Sequence, residues 1–207
     1  MTDAAQLYLI SPPELGDDFP ERLSRALEAG PVAAFQLRMK SAGDEAILAT
    51  ADRLMSICAA HECAFVLNDR ADLAAKMGAD GVHLGQSDGD VGEARALLGA
   101  DAQIGVTCHD SRHLAMEAGE AGADYVAFGA FFPSNTKETA HRPDPDILAW
   151  WSTMFVLPCV AIGGITADNA GPLVEAGADF LAVSGAVWSH PEGEATGVRA
   201  FAKWLEA

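Results

Sequence analysis

The chain is short of positive charge. Its 207 residues include 13 Lys and Arg against 30 Asp and Glu, a formal net charge of -17. Such a surface repels nucleic acid and anionic lipid, which argues against both as partners. An anionic small substrate is compatible with it only if the few cations gather in one pocket. Paired cysteines are also lacking. Cys58, Cys63, Cys108 and Cys159 form no CxxC motif, so free thiols in a reducing cytoplasm are expected. The first residues, MTDAAQLYLI, have no basic region ahead of a long apolar run, and no signal peptide is expected. The uncharged stretch 147–167 is interrupted by Pro158 and by Gly163 and Gly164. It therefore reads as a helix tail followed by a buried strand rather than a membrane span.

What is present is a recurring phrase. MGADGVHLG at 77–85, AGADYVAFG at 121–129 and AGADFLAVSG at 176–185 each place Gly after a helical stretch, then Ala-Asp, then a short apolar run. Gly in that place readily takes the left-handed conformation that ends a helix. Continuous apolar runs suit parallel strands covered on both faces. The same rhythm predicts strands near 6–10, 32–37, 64–67, 80–84, 103–106, 124–129, 157–162 and 179–184, and helices near 19–29, 44–60, 70–77, 91–98, 111–121, 144–152, 168–176 and 194–205. Alternation over about eight βα units implies an α/β fold, a single-domain (β/α)8 TIM barrel over residues 1–207, with an open doubly wound sheet as the alternative. The phrase is a helix-to-strand hinge, and the residues just past each strand lie where barrel enzymes hold their chemistry.

Those strand ends are rich in polar groups. QLRMK after the second strand supplies Arg38 and Lys40, a pair suited to a phosphate or pyrophosphate, or else two surface cations with carboxylate partners. LNDR after the third supplies Asn68 and Asp69, and HLGQSD after the fourth supplies Gln86 and Asp88. Carboxylates at adjacent strand ends can share one Mg²⁺; equally, Asn68, Asp69 or Asp88 can cap a helix. GVTCHD after the fifth brings the Thr107 hydroxyl, with Asp110 expected as a helix cap and His83 expected to be structural. His109 and His113, four apart, lack a third ligand for zinc. The loop AFFPSNTKETAHRPDPD concentrates donors at Ser134, Asn135, Thr136 and Lys137, and its length suggests a lid. IGGI and VSGA end the last two strands, where glycines let backbone N–H groups approach a phosphate.

Taken in order, YLI, QLRMK, LNDR, ADGVHLGQSD, GVTCHD, PSNTK and AIGGI resemble the thiamine phosphate synthase family over nearly the whole chain. The resemblance implies a Mg²⁺-dependent enzyme that joins a pyrimidine methyl pyrophosphate to a thiazole phosphate. It assigns Gln36, Leu37, Arg38, Met39, Lys40, Asn68, Thr107 and Lys137 to the pyrimidine pyrophosphate. It assigns Asp69 and Asp88 to the metal, and Ser134, Asn135, Thr136, Gly164, Val183 and Ser184 to the thiazole phosphate. Arg38, Lys40, Lys137 and Thr107 would carry the catalytic charge and hydrogen-bonding work. Departures are Met39 in place of a usual acid, Thr107 in place of Ser, Ala130 in place of Pro, Ser134 in place of Thr, and HRPDPD in place of a Gly-containing stretch. Two other readings remain. A related thiazole tautomerase uses a His on the loop after the sixth strand, whereas here the first His beyond that strand is His141. A non-catalytic thiazole-phosphate-binding barrel draws its support from Met39. Self-association into a homo-oligomer is left open.

Overall fold

The computed structural model describes residues 4–133 and 141–205. Its sheet is a closed barrel of parallel strands in chain order: β1 Gln6–Ile10, β2 Ala34–Leu37, β3 Ala64–Asn68, β4 Gly81–Leu84, β5 Gln103–His109, β6 Tyr125–Gly129, β7 Cys159–Ile162 and β8 Phe180–Val183. β1 pairs with both β2 and β8, which closes the ring and removes the open-sheet alternative.

Helices α1 Phe19–Glu28, α2 Asp44–Ala60, α3 Ala71–Met77, α4 Val91–Leu98, α5 Arg112–Glu120, α6 Asp146–Met154 and α7 Gly171–Glu175 follow strands β1 to β7 in turn. After β8 the chain forms α8 Gly185–Trp188, α9 Glu194–Arg199 and α10 Ala202–Leu205. The single helix expected over 194–205 is therefore two short ones, and α8 was not anticipated. α1 shows why such segments become helices: Pro20 sits in the first turn, and Phe19, Leu23, Ala26 and Leu27 fall on one buried stripe.

Alternation along each strand divides the core in two. Leu7, Leu9, Phe35, Leu37, Phe65, Leu67, Val82, Ile104, Phe128, Leu181 and Val183 pack outward against the helices. Tyr8, Ile10, Val66, Ala127, Val160 and Ala182 fill the barrel interior, with Tyr125, Ile162 and Phe180 partly buried beside them.

The recurring phrase has a second structural use besides ending helices. Gly78, Gly122 and Gly177 all have positive φ, as a left-handed helix end requires. The aspartates that come next reach sideways to the start of the preceding strand. Asp80 accepts from the Phe65 N–H, Asp124 from the Ile104 N–H and Asp179 from the Cys159 N–H, each at 2.7 Å. They satisfy backbone donors at the bottom of β3, β5 and β7, donors buried beside side chains that are almost wholly enclosed.

The seam between last and first strands is tied by side chains. Trp188 Nε1 donates to the Ile10 carbonyl at 2.7 Å, and Arg22 donates to the Trp188 carbonyl at 2.6 Å. Glu194 then accepts from Arg25 at 2.6 Å and from Arg22 at 3.4 Å. No helix among the described residues is long and apolar enough to cross a membrane.

Candidate active site

The rim formed by β2, β3 and β4 collects opposite charges. Lys40 Nζ lies 3.0 Å from Asp69 Oδ2. Asp69 has a φ of 67°, and its N–H donates to the His83 carbonyl at 2.8 Å, so the backbone there is held by β4. Partial burial pushes the Asp69 carboxyl above its usual value. Lys40 opposes that rise, and the neighbouring Asp88 carboxyl adds to it by repulsion and by a shared hydrogen bond. Asp88 is fixed by the Gly85 N–H, 3.1 Å from its Oδ2.

A cleft of about 250 Å³ opens beside this pair, with Asp69, Asp72, Asp88, Asp90 and Glu93 among its lining residues. So many carboxylates suit a cation rather than an anion. Two converging hard oxygen donors are a donor set that Mg²⁺ accepts when substrate and water complete its shell.

The helix-cap alternatives for these residues do not hold. Arg70 is the N-cap residue of α3, without a side-chain capping bond. Asp90, not Asp88, caps α4 by accepting from the Glu93 N–H at 3.0 Å. Asp110 does not cap α5 as expected: Ser111 does, accepting from Leu114 N–H at 3.2 Å. Asp110 instead lies 2.9 Å from His141 Nδ1, and the His141 ring stacks on His109 at 4.6 Å. His113 faces Glu117 on α5, at 3.4 Å.

Arg38 is partly buried at the mouth and has no carboxylate partner among the described residues, unlike Arg70, which is pinned between Asp44 and Asp72. Its backbone is anchored by a residue that no sequence motif marks out. Ser11, 2% exposed, accepts from the Arg38 N–H at 2.9 Å. Ser184 Oγ donates to the Ser11 carbonyl at 3.4 Å, linking the end of β8 to the same point. Leu37 and Val183 turn their side chains into the helix-facing core, so only their main chain is available to a ligand. Met39 also packs against that core, and Asn68 is half-buried at the end of β3.

At the end of β7, Gly164 has a φ of 63°, and a Cβ there would run into the backbone of Phe132 and Pro133, so no other residue fits. Asn169 Nδ2 donates to its carbonyl at 3.0 Å. Ser134, Asn135, Thr136 and Lys137, with most of the loop expected to act as a lid, lie outside the described residues.

Inside the barrel, below the rim, a continuous polar chain crosses from β2 to β5. Gln36 Nε2 donates to the Tyr8 hydroxyl at 2.9 Å. That hydroxyl is 2.9 Å from the Tyr125 hydroxyl, which is 3.1 Å from His83 Nδ1. His83 Nε2 is 2.8 Å from the Thr107 hydroxyl. Gln36 and His83 are 2% and 5% exposed, whereas Thr107 is half-buried; it lies within β5, which extends to His109 rather than ending at 106 as expected. Tyr8 and Tyr125 are the chain's two tyrosines, and that scarcity was the available sign that they matter.

Comparison with known proteins bears on this site. A family model described as thiamine monophosphate synthase matches residues 7–187. The thiamine-phosphate synthase of Erythrobacter litoralis is 62% identical over 206 residues, covering 98% of this chain and 96% of the relative. That of Rhodospirillum centenum is 60% identical over 202 residues, covering 97% of each. Among solved structures, a thiamine phosphate pyrophosphorylase from Pyrococcus furiosus superposes with a TM-score of 0.86 at 30% identity, covering 97% of this chain and 95% of that one.

Proposed function

Because the chain belongs to the thiamine monophosphate synthase family, we propose a division of labour among its strand-end residues. The reaction of the family is a transfer. The methylene carbon of 4-amino-2-methyl-5-hydroxymethylpyrimidine pyrophosphate loses pyrophosphate and is captured by the nitrogen of the thiazole phosphate, giving thiamine phosphate. None of these three relatives is a thiazole tautomerase or a non-catalytic binding barrel.

Arg38 and Lys40 hold the pyrophosphate, with Lys137 joining them from the loop after β6. Asp69 and Asp88 hold Mg²⁺, which when bound neutralises charge on the leaving group. Gln36, Leu37, Met39, Asn68 and Thr107 enclose the pyrimidine end. Gly164, Val183 and Ser184, with Ser134, Asn135 and Thr136, take the thiazole phosphate. The aminopyrimidine ring delocalises the positive charge that develops as pyrophosphate departs, so no strong general base is required. The protein's work is charge neutralisation, alignment and exclusion of water.

The observation that carries this assignment is the rim of β2 to β4, where Lys40, Asp69 and Asp88 come together in an otherwise cation-poor chain. Four free, buried thiols support a reducing compartment; burial pushes Cys108 and Cys159 up to about 12, which leaves them unreactive. The deciding experiment is turnover of both substrates across a Mg²⁺ titration, for the native chain and for Asp88→Ala. Full activity of the variant at low Mg²⁺ would remove the shared metal site. Absence of product from the native chain would remove the activity itself.

A further inference from the structure

The interior of a β/α barrel is ordinarily filled by branched apolar side chains. Here the Gln36–Tyr8–Tyr125–His83–Thr107 chain runs through it, and its members come from five strands. The surrounding packing is shaped to it. A side chain at Gly105 would occupy the space of the Tyr125 ring. The His83 ring stacks on Tyr125 at 5.6 Å, and Tyr8 meets Tyr125 edge-on at 6.1 Å.

The chain has a direction. An amide nitrogen only donates, so the Tyr8 oxygen accepts from Gln36. Among the described contacts, the Tyr125 oxygen is the acceptor left for the one Tyr8 proton, and His83 Nδ1 the acceptor left for the one Tyr125 proton. A neutral imidazole whose Nδ1 accepts carries its proton on Nε2. That proton points at the Thr107 oxygen. Having accepted, the Thr107 hydroxyl keeps its own proton for an acceptor beyond the relay. Burial pushes the Tyr8 phenol up to about 12 and the Tyr125 phenol well above its ordinary value, so neither loses the proton that sets the direction.

We propose that Tyr8, Tyr125 and His83 are positioning residues, a one-way hydrogen-bond relay that presents the Thr107 hydroxyl as a donor to the pyrimidine substrate. The acceptor is a ring nitrogen or a phosphate oxygen of that substrate, and this part rests on the assignment of Thr107 to the pyrimidine site. A network that merely satisfies buried polar groups would not require this polarity, nor would its loss act on one substrate alone.

The first test needs no substrate. In the full chain labelled with ¹⁵N-histidine, long-range proton–nitrogen correlation distinguishes the two neutral tautomers, and the His83 signal is identified by its loss in His83→Gln. The relay requires the Nε2–H form, with that preference weakened in Tyr125→Phe. An Nδ1–H form would mean that the chain runs from Thr107 toward Tyr8 and would overturn the proposal.

The second test is kinetic. Tyr125→Phe should lower kcat/KM for the pyrimidine pyrophosphate about tenfold, the worth of roughly one hydrogen bond, with KM for the thiazole phosphate unchanged. Thr107→Val should lose a similar amount, and the double variant no more than the larger single loss. Should Tyr125→Phe fold poorly, Tyr8→Phe removes the upstream donor while keeping Tyr125, and it should show a smaller loss of the same selectivity. Unchanged kinetics in a folded variant would reduce the network to core packing. If the native chain itself made no product, the functional assignment would fail while the tautomer result stood.

Discussion

Lys40 Nζ sits 3.0 Å from Asp69 Oδ2, so a cation assigned to pyrophosphate neutralises a carboxylate assigned to the metal. On the proposed assignment, the two roles would compete for the same carboxylate. A metal held by Asp69 would then displace Lys40, and the released ammonium would be available to the phosphate that accompanies the metal. Ordered exchange of this pair would couple the two binding events.

Lys40→Ala should therefore have effects of opposite sign. It removes a competitor of the metal, and a half-exposed ion pair is worth about 0.2–1 kcal/mol. Mg²⁺ binding to the substrate-free chain should tighten by up to about fivefold in calorimetry. Turnover should fall on the order of tenfold or more, because the lost cation would stabilise departing pyrophosphate. Weaker binary metal binding would show that Lys40 and the metal do not compete.

Lys137 gives a different expectation. A lysine acting on the leaving group gains interaction as charge builds there, so it lowers the barrier more than it tightens substrate binding. Lys137→Ala should reduce kcat on the order of 10²–10³. Affinity for the thiazole phosphate should be nearly unchanged. A loss confined to thiazole affinity would remove Lys137 from the pyrophosphate site.

How much of this was legible in sequence differs by level. The barrel was, because apolar runs and helical stretches alternate with glycine hinges between them. The charged rim was also legible, since Lys40, Asp69 and Asp88 come directly after predicted strands. The polar interior was not. In YLI and DYVAFG the tyrosines sit among apolar residues, and a strand buried on both faces has no alternation to show which residues face the axis. His83 was expected to be structural because it sits within the fourth strand; it belongs to the hydrogen-bonded interior network. The second use of the recurring aspartates was hidden too, since each bonds to a strand start 15 or 20 residues earlier.

Those aspartates should matter for stability and little for catalysis, since they lie at the opposite end of the strands from the rim. Asp179→Ala leaves the Cys159 N–H without its side-chain acceptor beside a fully buried residue. The expected cost is about 1–3 kcal/mol. Asp80→Ala should cost a similar amount by removing the acceptor of the Phe65 N–H, and the two losses should add because the sites share no partner. Urea unfolding of both single variants and the double variant measures this. A strongly non-additive result would mean that the strand bottoms yield together.

Glu194 makes stability depend on pH with a definite sign. Burial opposes its charge, but its backbone hydrogen bond and the guanidinium groups of Arg25 and Arg22 outweigh that, holding the carboxyl below its usual range. A carboxyl depressed by folding adds stability above its unfolded pKa, about 4.3, and that contribution is lost as pH falls through the folded value. Glu194→Gln leaves both arginines without their anion. Removing one partner of a fully buried pair costs roughly 3–5 kcal/mol. Arg25 is largely exposed here, with 54% of its side chain accessible, so about 2 kcal/mol is the better expectation. At roughly 2–4 °C per kcal/mol for a chain of this size, Tm should drop by about 4–8 °C. The gap between native and variant should stay constant from about pH 8 down to about pH 5, then narrow in more acid solution as the native carboxylate takes up its proton. A gap that widened on acidification would mean that Glu194 is not held as an anion by the arginines at the seam between the last strand and the first.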